Sequence, residues 1–161
     1  MEKPNRISSD FYQLLLRSGW YPERKVAKED LSNDLETFPD EVTDFLREIW
    51  GLHVVRETIS PLSGPSYAPS YFTSVFEFGE PSNQLWHDHE WENPLDQPLR
   101  MFGNQDQRQL LIDHSGRIFI VPDNGDVYFV DGQFYEGLYN LIYGFGARYI
   151  VYEDGEFWEE K

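Results

Sequence analysis

Between residues 109 and 132 the chain switches repeatedly between short apolar runs and tight turns. QLLID (109–113) and RIFIVP (117–122) flank His114-Ser115-Gly116, Asn124-Gly125 follows, then Val127-Tyr128-Phe129-Val130, then Asp131-Gly132. Runs this short, rich in β-branched and aromatic residues, read as strands. Connections of two or three residues leave no room for a crossover, so these strands are antiparallel neighbours. A further hairpin is expected from 148–152 and 156–158 around Asp154-Gly155. Upstream, YFTSVFEF (71–78) alternates aromatic and small or polar groups, placing Phe72, Phe76 and Phe78 on one face and Tyr71, Thr73, Val75 and Glu77 on the other. Residues 52–56 read as a short strand and 58–70, with three prolines, as a loop.

Helical periodicity is concentrated before the strands. Val42, Phe45, Leu46 and Ile49 make one apolar stripe over 40–50. Pro39 suits its first turn, Asp40 and Glu41 complement the positive helix end, Gly51 suits its stop, and Phe38 can act as a staple. A shorter helix is expected over 8–18, with Phe11, Leu14, Leu15 and Ser18 on one face and Gly19 at its end, and a weak one over 28–36 around Leu31 and Leu35. One later helix is expected over about 133–143, with Phe134, Leu138, Leu141 and Ile142 inward. Helices segregated from a mainly antiparallel twisted sheet and packed on it make an α+β fold. The 161 residues fit a single domain spanning 1–161, which at this size buries close to ~70% of its unfolded surface and needs no staples. There is no cysteine, so no disulfide and no thiolate chemistry.

Charge narrows the function. The chain has 29 acidic and 13 basic residues, a formal net charge of -16. The excess is spread along it: -6 over residues 1–80 and -10 over 81–161. Such a surface repels phosphates and anionic membranes, so neither nucleic acid nor membrane is an expected partner; a basic protein is. No apolar run approaches the ~20 residues of a membrane helix, and MEKPNRISSD is no secretory leader. A cytoplasmic protein is expected.

Catalytic signatures are lacking. No G-x-S-x-G elbow, P-loop or dinucleotide fingerprint occurs. His87-Asp88-His89-Glu90, near Glu92 and Asp96, has metal-ligand residue types, but the spacing is poor for a helical site and no third histidine comes near in sequence, and a solvated polar loop is the simpler reading. Carboxylate pairs are too abundant among 29 acids to assign acid/base roles. No catalytic residue, metal or cofactor is expected. As partner-binding residues we single out Asp88, Glu90, Trp91, Glu92 and Asp96, a tryptophan among acids in an irregular segment, together with Tyr67 and Tyr71, whose rings join apolar area to a polar tip. Core packing is the competing role for these aromatics.

Several ordered segments, taken together, resemble the SUKH superfamily, also called the SMI1/KNR4 family, and most of all its SUKH-3 branch. They are GWYPERKV (19–26), FPDEVTDFLREIWGL (38–52), FEFGEP (76–81), LLIDHSGRIFIV (110–121) and FYEGLYNLIYG (134–144). The branch often has Gly-Gly before Leu where this chain has Trp50-Gly51-Leu52, and residues 145–161 extend past the usual end, the expected site of an extra hairpin. The resemblance implies an immunity protein that binds and blocks the cognate toxin domain of a bacterial polymorphic or contact-dependent inhibition system. Family toxins are often nucleases or nucleic-acid deaminases, so a basic toxin domain is the implied partner of this monomer or weak dimer. The other reading is a regulatory or scaffold module of the broader SMI1/KNR4 kind, with no toxin partner.

Overall fold

Among the described residues three α-helices and eight strands follow one another, and the strands lie in the sheet in the order they occur in the sequence. The computed structural model describes residues 9–31, 35, 37–59, 71–79, 98–106, 108–121, 127–143, 148–151 and 157–159. The helices are α1 (Ser9–Arg17), α2 (Asp40–Ile49) and α3 (Phe134–Tyr143). The strands are β1 (His53–Ile59), β2 (Tyr71–Phe78), β3 (Arg100–Gln105), β4 (Arg108–Ile112), β5 (Arg117–Val121), β6 (Val127–Gln133), β7 (Arg148–Val151) and β8 (Phe157–Glu159). Every neighbouring pair is antiparallel. The expected α+β class is the one observed.

Period two divides the sheet's side chains between two faces. Val54, Phe76, Phe78, Phe102, Leu110, Ile112, Ile118, Ile120 and Val130 share one cluster with the buried faces of all three helices. α1 contributes Phe11, Leu14 and Leu15; α2 contributes Val42, Phe45, Leu46 and Ile49; α3 contributes Tyr135, Leu138, Leu141 and Ile142. The opposite face carries a second, smaller apolar cluster, Leu99, Leu111, Phe119, Val121 and Val127, with Met101 and Phe129 against it.

Two expectations change. The helix expected over 28–36 is, among the described residues, a 3-10 turn at Lys28–Asp30, with Leu35 again in 3-10 conformation. Leu31 and Leu35 are buried all the same, so their spacing reported burial rather than a helix. Pro39 is not in the first turn of α2: it caps the helix with an extended backbone, ψ 149°, and the helix begins at Asp40. Phe38 is buried with its ring against the edge of His114, centroids 4.4 Å apart. Gly51 ends the segment as expected, at φ +85°, a conformation that costs a glycine little. Its N–H donates to the Phe78 carbonyl at 2.7 Å, tying the end of α2 to β2.

Strand β3 has no counterpart in the sequence reading. RMFGNQ lacks alternation and contains Gly, Asn and Gln, all poor strand formers. Its neighbours decide it. β3 is paired on both sides, with a bulge opposite β4 between Met101 and Gly103. A side chain at Gly103 would collide with the Glu77 carbonyl oxygen of β2, so glycine permits the close approach of the two strands.

Candidate protein-binding surface

The segment 20–26 crosses the end of α2 as a strap, and each of its polar contacts answers a need of the helix. The last carbonyls of a helix have no partner within it. Arg24 donates to two carbonyls in that region, Glu48 O at 2.9 Å and Trp50 O at 2.6 Å. Its positive charge also complements the negative helix end. Two residues on, Val26 N–H donates to Arg47 O at 2.9 Å, while Arg47 Nε donates to Val26 O at 2.8 Å.

A buried polar chain locks the strap to α3. Trp20 Nε1 donates to Tyr135 Oη at 3.0 Å, and Tyr135 Oη donates to Glu48 Oε1 at 3.2 Å. Glu48 is 3% exposed and its other oxygen, Oε2, is buried with no hydrogen-bond partner. Burial pushes the Glu48 carboxyl above the ordinary glutamate range, with the Tyr135 hydrogen bond opposing it. The same burial, and then the nearby Glu48 charge, push the Tyr135 phenol upward. The Phe45 ring meets Tyr135 edge-on at 5.2 Å and completes the cluster. Glu48 is thereby closed off from solvent, a structural carboxyl rather than one placed to meet a substrate.

Several of the described cations are paired within the molecule. Lys25 and Arg47 both reach Asp44, at 3.7 and 3.6 Å, and Lys28 reaches Asp40 at 4.0 Å. Arg56 lies over the Tyr143 ring, 4.5 Å from its centre. Arg117 meets Asp113 at 2.7 Å. Meanwhile Glu23, Glu29, Asp30 and Glu41 are exposed around the strap and the start of α2, and none of the four makes an ion pair with a described cation. Tyr21 stands among them, 54% exposed. The outward side of this region is therefore acidic, with one aromatic ring.

Of the partner-binding residues singled out from the sequence, Tyr67, Asp88, Glu90, Trp91, Glu92 and Asp96 lie outside the described residues. So does the His87–Glu90 cluster. Tyr71 begins β2 opposite Ile59 of β1. Among the described residues there is no group of three or more His, Cys, Asp or Glu able to hold a metal ion. His53 sits beside Glu77 at 3.8 Å on the sheet face away from the helices, remote from His114. Sequence reasoning missed Tyr21, Glu23, Glu29, Asp30 and Glu41 as a surface. The mixed-sign stretch YPERKVAKED was their signal, but which of its charges turn inward depends on α2.

The family model described as SUKH-3 immunity protein matches residues 7–144. The chain belongs to this family. Its role is thus that of an immunity protein, and a protein toxin is its general kind of partner. Members are generally not enzymes. The strap, α2 and α3 of this SUKH-3 protein all fall within the matched region, whereas β7 and β8 fall beyond it. No curated protein and no solved structure matches the chain. Among the described residues no helix is long and apolar enough to cross a membrane.

Proposed function

We propose that this SUKH-3 protein neutralises a basic toxin domain that acts on nucleic acid, by covering the toxin's phosphate-gripping surface with carboxylates. A single observation carries the reading: a net charge of -16, in a structure where Arg24, Lys25, Arg47, Arg56 and Arg117 are turned to a helix end, a ring or intramolecular ion pairs. A surface that binds nucleic acid is cationic because it must meet phosphates. Carboxylates accept the same charge-assisted hydrogen bonds from arginine and lysine that phosphates do. The long-range field raises the encounter rate, which serves protection inside the producing cell, in the cytoplasm. The protein acts as a monomer or weak dimer, without a cofactor, and makes or breaks no bond.

Two surfaces are candidates for the contact: Asp88, Glu90, Trp91, Glu92 and Asp96 with Tyr67 and Tyr71, and the Tyr21 region with Glu23, Glu29 and Asp30. The test is co-expression with a candidate toxin domain, taken from any toxin gene adjacent to its own, scored for growth and for a co-purifying complex. Rescue, and a complex whose Kd rises steeply with salt, are expected. The double reversals Glu90→Lys/Glu92→Lys and Glu29→Lys/Asp30→Lys then show which surface steers binding: the correct one slows association by about tenfold. A toxin that kills in the presence of the protein overturns the proposal.

A further inference from the structure

Three segments wall in the Glu48 carboxyl, and they are not held equally firmly. Its own helix, α2, and the facing α3 are each fixed by a broad apolar face, Val42, Phe45, Leu46 and Ile49 on one and Leu138, Leu141 and Ile142 on the other, all buried. The strap is held differently. Tyr21, Pro22, Glu23 and Lys25 are exposed, Arg24 and Val26 are half-buried, and within 20–26 Trp20 alone is buried. What fastens this segment is polar: Arg24 to the Glu48 and Trp50 carbonyls, Val26 and Arg47 to each other, and Trp20 Nε1 to Tyr135 Oη. A segment with few buried apolar contacts is the part of a fold that opens first.

Glu48 itself favours that opening. Its Oε1 accepts from Tyr135 Oη at 3.2 Å, and its Oε2 is buried with no hydrogen-bond partner. A neutral carboxyl bears an unpaired oxygen at modest cost, whereas a buried carboxylate short of partners is far less stable. Among the described residues the charged or titratable groups around it are Tyr135 on α3, Arg24 and Lys25 on the strap, and Asp44 on α2 itself. Neither cation is bonded to the carboxylate: Arg24 bonds carbonyls, and Lys25 reaches Asp44. Burial holds the Glu48 carboxyl above the ordinary glutamate range; the Asp44 charge adds to this, and the Tyr135 bond and Lys25 oppose it.

We propose that Glu48 is a latch on the strap: while its carboxyl is neutral, 20–26 stays closed against α2 and α3, and on ionising it drives the strap off, parting Trp20 from Tyr135 and admitting water to Oε2. Arg24, released from the end of α2, then supplies a counter-charge. The closed form holds the proton more tightly than the open one. Closure is therefore fully favoured below the ordinary glutamate value and is lost as pH rises through the raised one. Because Tyr21 and Glu23 ride on the strap, the same proton governs whether that surface is held in place. The latch is independent of the proposed function, since it belongs to the protein without a partner.

The experiment uses the full-length protein alone. Amide hydrogen exchange is followed by NMR across pH, as protection factors that remove the intrinsic pH dependence, for Val26 N–H, which bonds Arg47 O, and for the ladder amides of β4 and β5. As pH rises through the Glu48 transition, Val26 is expected to lose at least tenfold in protection while the ladder amides keep theirs. In Glu48→Gln the Val26 protection is expected to stay flat. In wild type, the Glu48 carboxyl carbon and the Trp20 indole N–H are expected to titrate with one midpoint, a readout that decides the matter should the variant fail to fold. The latch is overturned if Val26 keeps its protection across the transition, or loses it in step with the ladder amides. It is equally overturned if a folded Glu48→Gln protein loses it as wild type does, or if the indole and carboxyl midpoints separate.

Discussion

Among the described residues two carboxylates are buried, and their surroundings differ in kind. Asp113, at the turn between β4 and β5, is 0% exposed. Its Oδ1 accepts from the N–H groups of Ser115 and Arg117, both at 2.9 Å, and its Oδ2 accepts from Arg117 Nε at 2.7 Å. Glu48, in the helical layer, has one hydroxyl on one oxygen, nothing on the other, and no cation bonded to its carboxylate. Arg24 is near but bonds the backbone carbonyl of Glu48. A buried charge is tolerable when paired and hydrogen-bonded. Asp113 meets that condition within a five-residue loop. Glu48 meets it only in part, and responds by holding its proton more tightly. Local sequence can build the first arrangement; the second arises where three separate segments converge.

The largest expected effect comes from breaking the complete site. Asp113→Ala should lower the unfolding free energy by about 3 kcal/mol, because it strands two turn N–H groups and removes the ion pair with Arg117. Asp113→Asn, which can still accept from both N–H groups, should recover a good part of that loss. Urea titrations with an unchanged m-value check both. Equal losses for Ala and Asn would place the weight on the ion pair rather than on the turn.

Next comes the polar chain at Glu48. Tyr135→Phe leaves Trp20 Nε1 without its acceptor and Glu48 Oε1 without its donor, and should cost about 1–3 kcal/mol. Loss below ~0.5 kcal/mol would mean that other groups satisfy them. Glu48→Gln should sharpen the contrast through pH. The folded-state pKa of Glu48 is raised, so between its unfolded and folded values the folded protein holds more protons than the unfolded one. Its contribution is therefore fully present below the unfolded glutamate value and is lost as pH rises through the raised one. The Gln variant should lack that part of the decline and match or exceed wild type at neutral pH. Thermal midpoints across the acidic to neutral range, compared as a difference, isolate it from the general repulsion of the acidic surface. A wild-type curve parallel to the Gln variant's would remove Glu48 from the account.

The smallest effect is expected outside the core. Asp44 is approached by both Lys25 and Arg47, but these side chains are partly or half exposed, and such pairs contribute little. Asp44→Asn should change stability by less than ~0.5 kcal/mol. A larger loss would show that the strap depends on this acid as well as on its bonds to α2.

These contrasts follow what could be read from residue order. Strands β2, β4 and β5, helices α1, α2 and α3, and the antiparallel pairing of the turn-linked runs were legible because period and turn chemistry act over a few residues. Strand β3 was not, because Gly103 and Asn104 are held in the sheet by β2 and β4 rather than by their own preference. Nor was the chain from Trp20 through Tyr135 to Glu48, whose members are far apart in sequence. The surface around Tyr21 stayed hidden for a related reason: the partners of its cations, the carbonyls at the end of α2 for Arg24, Asp44 for Lys25 and Asp40 for Lys28, are supplied by a segment further along the chain.

Sequence by itself determined the class of fold, the family resemblance and the strongly negative charge, since periodicity, ordered motifs and composition need no partner to be read. Tertiary structure alone decided which charges face solvent, which carboxyl lacks a cation and which strand ends the sheet. Each of these depends on what a distant segment brings alongside, and local spacing holds no record of that.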